Sequence, residues 1–202
     1  MRQLIEQKLG ATAGTDGQIL RGDFDVNPEA RKVLPKLKAL TPAAVLIPVI
    51  ERPNGMTVLL TKRADHLNDH AGQVSFPGGR VEDCDASIVD TALRETEEEI
   101  GLARSYIDVV GQLEIYETVT GFGVIPVVGI VRPGFTLELD SFEVSEAFEV
   151  PLAFIFDPAN HRRDSMVWKE VERYYYVFPY LDYHIWGATA GMLINFYRKV
   201  MG

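Results

Sequence analysis

One stretch limits the fold of this chain more than any other. It is Gly78-Gly79-Arg80-Val81-Glu82-Asp83-Cys84-Asp85, with Ala92-Leu93-Arg94-Glu95-Thr96-Glu97-Glu98-Glu99-Ile100-Gly101-Leu102 after it. Paired glycines bend a loop, and the run from Ala86 to Ile100 then lacks both Gly and Pro, which predicts a helix. Asp85 stands where an N-cap is expected, and Gly101 where a C′ glycine ends the helix. At about 3.6 residues per turn, Glu95, Glu98 and Glu99 share one face. Ala92, Leu93, Thr96 and Ile100 cover the rest of the surface.

Carboxylates so spaced repel, weakening an isolated helix by about 0.2–0.5 kcal/mol per pair. A hard divalent cation reverses that sign. Mg²⁺ takes oxygen ligands, keeps several waters and is completed by substrate phosphates. Three convergent carboxylates behind a bent loop therefore point to metal-assisted chemistry on a phosphate ester or anhydride. The competing reading is a solvated acidic face. Phe76-Pro77-Gly78-Gly79 in front and Gly101 behind favour the site.

The pattern Gly79-x5-Asp85-x8-Arg94-Glu95-Thr96-x-Glu98-Glu99-x-Gly101-Leu102 resembles the Nudix box of the Nudix hydrolases. Asp85 replaces the usual Glu, and the second spacer is one residue longer than the common form. That longer spacing is similar to the coenzyme A diphosphatase branch. So is the upstream run Leu59-Leu60-Thr61-Lys62-Arg63-x3-Leu67-x2-His70-x-Gly72-x-Val74-x-Phe76-Pro77-Gly78-Gly79. Ala64 stands there where Ser is expected, and Cys84 where Gly is common. Two linked motifs are more specific than a single glycine pattern.

The 202 residues fit one globular domain with a sizeable core. No apolar run approaches the roughly 20 residues a membrane helix needs. The N-terminus lacks an apolar signal-peptide core, and Cys84 is the only cysteine, so a cytoplasmic location is expected. Cys84 has no patterned His partner and reads as incidental rather than as a nucleophile. The net charge of −9 argues against sequence-independent nucleic-acid binding. It also means a polyanionic substrate needs local cations on its approach. Lys62, Arg63, His66, His70 and Arg80 cluster in sequence before the acidic helix.

Residues 1–40 read as a helical arm packed on a domain spanning 41–202. Ile5 to Leu9 predicts a short helix, Gly14 to Gly22 a loop and Pro28 to Leu40 a second helix. Ala43 to Ile50 and Met56 to Thr61 predict a hairpin across Arg52-Pro53-Asn54-Gly55. Ile107 to Tyr116, Val124 to Val131 and Val144 to Phe148 read as strands, and Leu152 to Phe156 as a short helix begun by Pro151. Val167 to Trp168 and Arg173 to Phe178 suggest another hairpin, with Tyr174-Tyr175-Tyr176 packing on it. Tyr183 to Met201 reads as a closing helix with Trp186, Ala190, Leu193, Ile194 and Tyr197 near one face. Together these predict an α/β fold with α/β/α layering over a mixed sheet, and the Nudix resemblance implies the same α/β/α sandwich.

Hydrolysis of a diphosphate needs metal ligands, a water-positioning carboxylate and cationic clamps. The resemblance and the helical spacing assign Glu95 and Glu99 as Mg²⁺ or Mn²⁺ ligands, with Glu98 a third ligand or a base. Arg94 is expected to pair with a carboxylate of the box and fix its rotamer, the alternative being an ordinary surface ion pair. Glu143 reads as a distal catalytic carboxylate or an exposed loop acid. Arg63 and Arg80 are the expected phosphate clamps, since guanidinium presents planar paired donors. His70 either binds a phosphate or acts in proton transfer, the competing reading being a structural loop hydrogen bond. Gly78 and Gly79 allow close backbone approach to an anion. His161-Arg162-Arg163 reads as a second basic patch or a solvated turn. The resemblance implies coenzyme A or an acyl derivative as the small-molecule substrate, with 4′-phosphopantetheine and adenosine 3′,5′-bisphosphate as products. NADH, ADP-ribose or another nucleoside diphosphate derivative is the alternative substrate, and a non-catalytic nucleotide-sensing module the alternative class. A homodimer is compatible with these features, and no membrane or nucleic-acid partner is expected.

Overall fold

The structure, a computed structural model, describes residues 1–10, 20–27, 40–67, 70–168 and 171–202. In chain order the elements are α1 (Arg2–Gly10), β1 (Arg21–Gly22), β2 (Thr41–Arg52), β3 (Gly55–Arg63), β4 (Val74–Ser75), β5 (Gly78–Arg80) and α2 (Ile88–Ile100). Then come β6 (Ile107–Gln112), β7 (Tyr116–Glu117), β8 (Phe122–Val131), β9 (Val144–Pro151) and α3 (Leu152–Ile155). The chain closes with β10 (Arg162–Trp168), β11 (Val171–Tyr180), β12 (Tyr183–Trp186) and α4 (Gly187–Met201). The helix expected over Pro28–Leu40 lies outside the described residues except for Leu40, as does most of the loop expected over Gly14–Gly22.

The apolar run of β2 is continuous because both its faces are covered. Ala44, Leu46 and Ile50 enter one core with Ala92, Ile100 and Leu102 of the α2 segment. Ala43, Ile47 and Val49 enter the other with Ile5 and Leu9 of α1 and Leu193 and Phe196 of α4. Helices therefore lie on both faces of the sheet, as expected. Leu46 and Ile47 are fully buried, and truncating either to Ala costs about 2–5 kcal/mol.

The β2–β3 hairpin forms as predicted, with Val49 opposite Val58 and Arg52 opposite Gly55. β8 lies parallel to β2 from Thr41↔Phe122 to Ile50↔Val131. Among the described residues the main sheet has nine strands, in the order β1-β7-β8-β2-β3-β4, with β5 on β2, β6 on β8 and β9 on β3. Its mixture of parallel and antiparallel pairs is the mixed sheet that was expected.

The closing helix starts four residues later than its apolar pattern suggested. Tyr183–Trp186 is instead β12, paired to β11 with Trp186 opposite Val177 and Tyr183 opposite Tyr180. Gly187, at φ +61, then turns the chain into α4. Trp186 therefore does not share the helix face of Ala190, Leu193 and Ile194, which are buried. His161-Arg162-Arg163 is not a solvated turn either. The His161 ring bonds the Ile155 carbonyl through Nε2 at 2.7 Å and meets Phe178 and Tyr197 edge-on, while Arg162 and Arg163 begin β10. Three aromatic and carbonyl partners explain this histidine as packing.

Candidate functional site

Helix α2 is held at both ends, but not by the expected N-cap. Ser87 caps it, accepting from the Asp90 N–H at 3.1 Å. Gly101 ends it in the left-handed region at φ 67, donating to the Glu97 carbonyl. Asp85 is freed for another task. Its carboxylate accepts from Arg94 Nε at 2.7 Å, Arg94 Nη2 at 3.0 Å, Thr91 Oγ1 at 2.8 Å and the Glu82 N–H at 2.8 Å. The Arg94 guanidinium, first among these, holds the Asp85 carboxyl far below the usual carboxylate range. Asp85 thus stays ionised and fixes Arg94, as a bidentate pair should.

Arg94 in turn reaches two acids of the helix face. Its Nη1 lies 3.0 Å from Glu95 Oε1 and 2.9 Å from Glu98 Oε2. The face is graded in exposure rather than uniform. Glu99 is 5% exposed, and the side chains of Glu95 and Glu98 are 16% and 60% exposed. Burial pushes the Glu99 carboxyl up to about 8, reinforced by the charges of Glu143 and Glu95 and opposed by the Gly78 N–H and Arg63. Burial also raises Glu95, with Glu98 and Glu143 adding to it against Arg94. Glu143 is therefore an electrostatic neighbour of Glu95 and Glu99, although dozens of residues separate them in sequence. Its carbonyl accepts from the Ala64 N–H at 2.9 Å, which ties its loop to the end of β3.

The glycines set the distance between loop and helix. A Cβ at Gly79 would fall 2.5 Å from the Glu95 carboxyl carbon. Gly78, at φ +154, faces Val45 across β5–β2, and a Cβ there would fall 2.4 Å from the Ala44 carbonyl oxygen. Only glycine allows the strand to approach both neighbours so closely.

Among the described residues no three His, Cys, Asp or Glu side chains form a ready-made cation cage. The donor set nonetheless fits a hard divalent cation. Buried carboxylates that raise one another's proton affinity have excess negative charge, and Mg²⁺ characteristically takes one or two carboxylates with substrate phosphates completing its shell.

Beside this face lies a cavity of about 300 Å³ lined by Arg63, His70, Gln73, Phe76, Val45 and Thr189 among others. Arg63 links the two regions, lining the cavity while its charge acts on Glu99. Its Nε is buried with no hydrogen-bond partner among the described residues, and an unmade buried donor costs about 1–3 kcal/mol until a ligand satisfies it. His70, at φ 59, is held by a 2.8 Å contact of Nδ1 with Gln73 Oε1. The other sequence-predicted cations are elsewhere. Arg80 is exposed and lies over the Phe122 ring at 5.1 Å, and His66 packs on Phe142. Sequence reasoning missed the far wall of this cavity, namely Asp23, Thr118, Val119 and Trp186. No local motif marks these residues.

The NUDIX domain model matches residues 40–169. A protein of Escherichia coli O1:K1 / APEC named Uncharacterized Nudix hydrolase NudL is 42% identical over 151 residues, covering 75% of this chain and 78% of its own length. The protein of the same name from Shigella boydii serotype 18 matches equally. A crystal structure of a MutT/nudix family protein from Enterococcus faecalis superposes with a TM-score of 0.50 at 17% identity, covering 88% of this chain and 68% of that one. At that identity the likeness bears on the fold alone. Among the described residues no helix is long and apolar enough to cross a membrane.

Proposed function

Because the chain belongs to the NUDIX domain family, we propose that it hydrolyses the diphosphate bond of coenzyme A and its derivatives, with Mg²⁺ or Mn²⁺, to 4′-phosphopantetheine and adenosine 3′,5′-bisphosphate. The observation that supports this reading is the link between two motifs through Arg63, which lines the cavity while its charge acts on Glu99. The box supplies Glu95, Glu98 and Glu99, while the upstream coenzyme A-type run supplies Arg63, His70, Val74 and Phe76 to the adjoining cavity. An acidic helix needed only for solubility would not bury Glu99 beside Glu95 and Glu143.

Glu95 and Glu99 would hold the cation, with Glu98 as a third ligand or as the base. Bound there, a divalent cation neutralises phosphate charge and acidifies water. Arg63 offers its unsatisfied Nε–H and its positive charge to the diphosphate, and His70 contributes a second contact. Arg94, locked by Asp85, keeps Glu95 and Glu98 in fixed rotamers. Water would attack one phosphorus directly as the bridging P–O bond breaks and the other phosphate leaves with the bridging oxygen, and Glu98 or Glu143 would take the water's proton on a carboxylate oxygen. No enzyme nucleophile is required, so no covalent intermediate forms.

Reaction with coenzyme A in ¹⁸O-labelled water tests this. Mass spectrometry should find the two named products only when Mg²⁺ or Mn²⁺ is supplied, with label in one phosphate. Unchanged coenzyme A under all metal conditions would refute the assignment and favour a binding module.

A further inference from the structure

A second cavity of about 200 Å³ opens beside the first, lined by Phe24, Met166, Tyr174, Tyr175 and Trp186 among others. The two share Asp23, Thr118, Val119, Trp186 and Gly187, so they are compartments of one cleft. The first compartment is the one that Arg63 and His70 line. Phe24, Tyr174, Tyr175 and Trp186 give the second compartment its rings, and Asp23, Glu117 and Arg173 its charged groups; neither compartment includes a carboxylate of α2.

This aromatic compartment is held in shape by bonds between distant segments. Asn27 Nδ2 donates to the Tyr174 carbonyl at 2.6 Å, and its Oδ1 accepts from the Tyr174 N–H at 2.7 Å. The segment around Asp23 is thereby clamped to β11. Tyr116 O–H donates to Asp23 Oδ1 at 2.6 Å, fixing that carboxyl on the wall between the compartments. Tyr175 meets the Trp186 indole edge-on with centroids 5.3 Å apart. Trp186 is the last residue of β12, paired with Val177, and precedes the Gly187 turn, so backbone on both sides fixes its position.

We infer that the aromatic compartment between Trp186 and the Phe24–Asn27 segment is a nucleobase subsite, taking the purine ring of a substrate whose phosphates lie in the Arg63 compartment. A purine is planar, presents a π face for stacking, and can offer an amino group to a carboxylate such as Asp23. A nucleotide bound across the shared wall satisfies both compartments together, which neither a bare phosphate nor a free base does. The subsite also gives the N-terminal segment a role in substrate selection. It rests on the proposed diphosphate site only for the location of the phosphates.

Binding of AMP and of ribose 5-phosphate, measured by calorimetry on the full chain without divalent metal, tests the subsite apart from catalysis. Base–aromatic stacking contributes about 1–3 kcal/mol. Wild-type protein should therefore bind AMP about tenfold or more tighter than ribose 5-phosphate. Trp186→Ala should erase that advantage, Trp186→Phe should keep most of it, and ribose 5-phosphate should bind all three alike. The indole N–H resonance of Trp186 should shift with AMP and not with ribose 5-phosphate, a readout that needs no variant. Equal binding of the two ligands to wild type, or an unchanged AMP advantage in Trp186→Ala, would overturn the inference. AMP selectivity without coenzyme A hydrolysis would leave the subsite standing and remove the proposed reaction.

Discussion

Helix α2 and the aromatic compartment are built in opposite ways. The acidic face comes from consecutive turns of one helix, so its side chains meet through local spacing. The compartment draws on the Asp23 turn, the loop after β7, strands β10 and β11, and the end of β12. Its members meet only after the whole sheet has formed. The face concentrates charge that burial makes costly, and the compartment concentrates apolar rings. The division suits a substrate with phosphates at one end and a planar group at the other. It also means that mutations on the face should strike turnover, and mutations in the compartment should strike recognition.

The largest expected effect is on the face. Glu99→Gln keeps the shape and removes a carboxyl that can ionise to hold the cation, so turnover should fall roughly 100-fold or more while thermal stability holds or rises. Steady-state kinetics and a melting curve check both halves. Wild-type turnover in saturating Mg²⁺ would dissolve the distinction between face and compartment. The next effect lies where they join. Arg63→Ala should weaken transition-state stabilisation by about 1.5–3 kcal/mol, as for a charge-assisted hydrogen bond. Arg80→Ala should cost much less, because that guanidinium rests on Phe122. Equal losses in kcat/KM would mean that both arginines reach the substrate.

A subtler test uses pH. Burial raises the Asp23 carboxyl above its ordinary 3.8, outweighing the Tyr116 hydrogen bond. The folded state thus holds this proton more tightly than the unfolded chain does. The resulting stabilisation is complete below pH 3.8 and is lost as pH rises through the elevated folded value. Urea unfolding should show Asp23→Asn gaining on wild type as pH climbs through that window. A difference independent of pH would show that Asp23 titrates normally. The smallest effect belongs to Glu97→Gln. Glu97 is exposed, with Arg104 at 3.4 Å, and stability and turnover should stay within about 0.5 kcal/mol of wild type.

What could be read from the sequence follows the same division. The continuous apolar run of β2, its turn at Pro53-Asn54-Gly55 and the return in β3 were legible because each depends on neighbours in sequence. So were α2, the Gly101 terminus and the Arg94 pairing. Ser87 caps the helix because α2 begins at Ile88, and Asp85 instead pairs with Arg94 nine residues on, which no local rule records. Strand β12 was hidden inside a helical-looking pattern, since Tyr183 to Trp186 is decided by pairing with β11. The proximity of Glu143 to Glu99 and the whole compartment around Trp186 depend on contacts across the chain. Sequence had suggested Glu143 only as one of two readings, and had suggested Trp186 only as a helix-packing residue.

On the proposed reading, the acidic face with its cation and the two-compartment cleft would act together on coenzyme A. Remote binding energy should then position the diphosphate, so that truncated substrates lose kcat as well as affinity. The direct measurement is kcat/KM with Mg²⁺ for coenzyme A, dephospho-coenzyme A, ADP-ribose and NADH, with products identified by mass. Coenzyme A should exceed dephospho-coenzyme A, which should exceed ADP-ribose. A higher kcat/KM for ADP-ribose or NADH than for coenzyme A would contradict this reading.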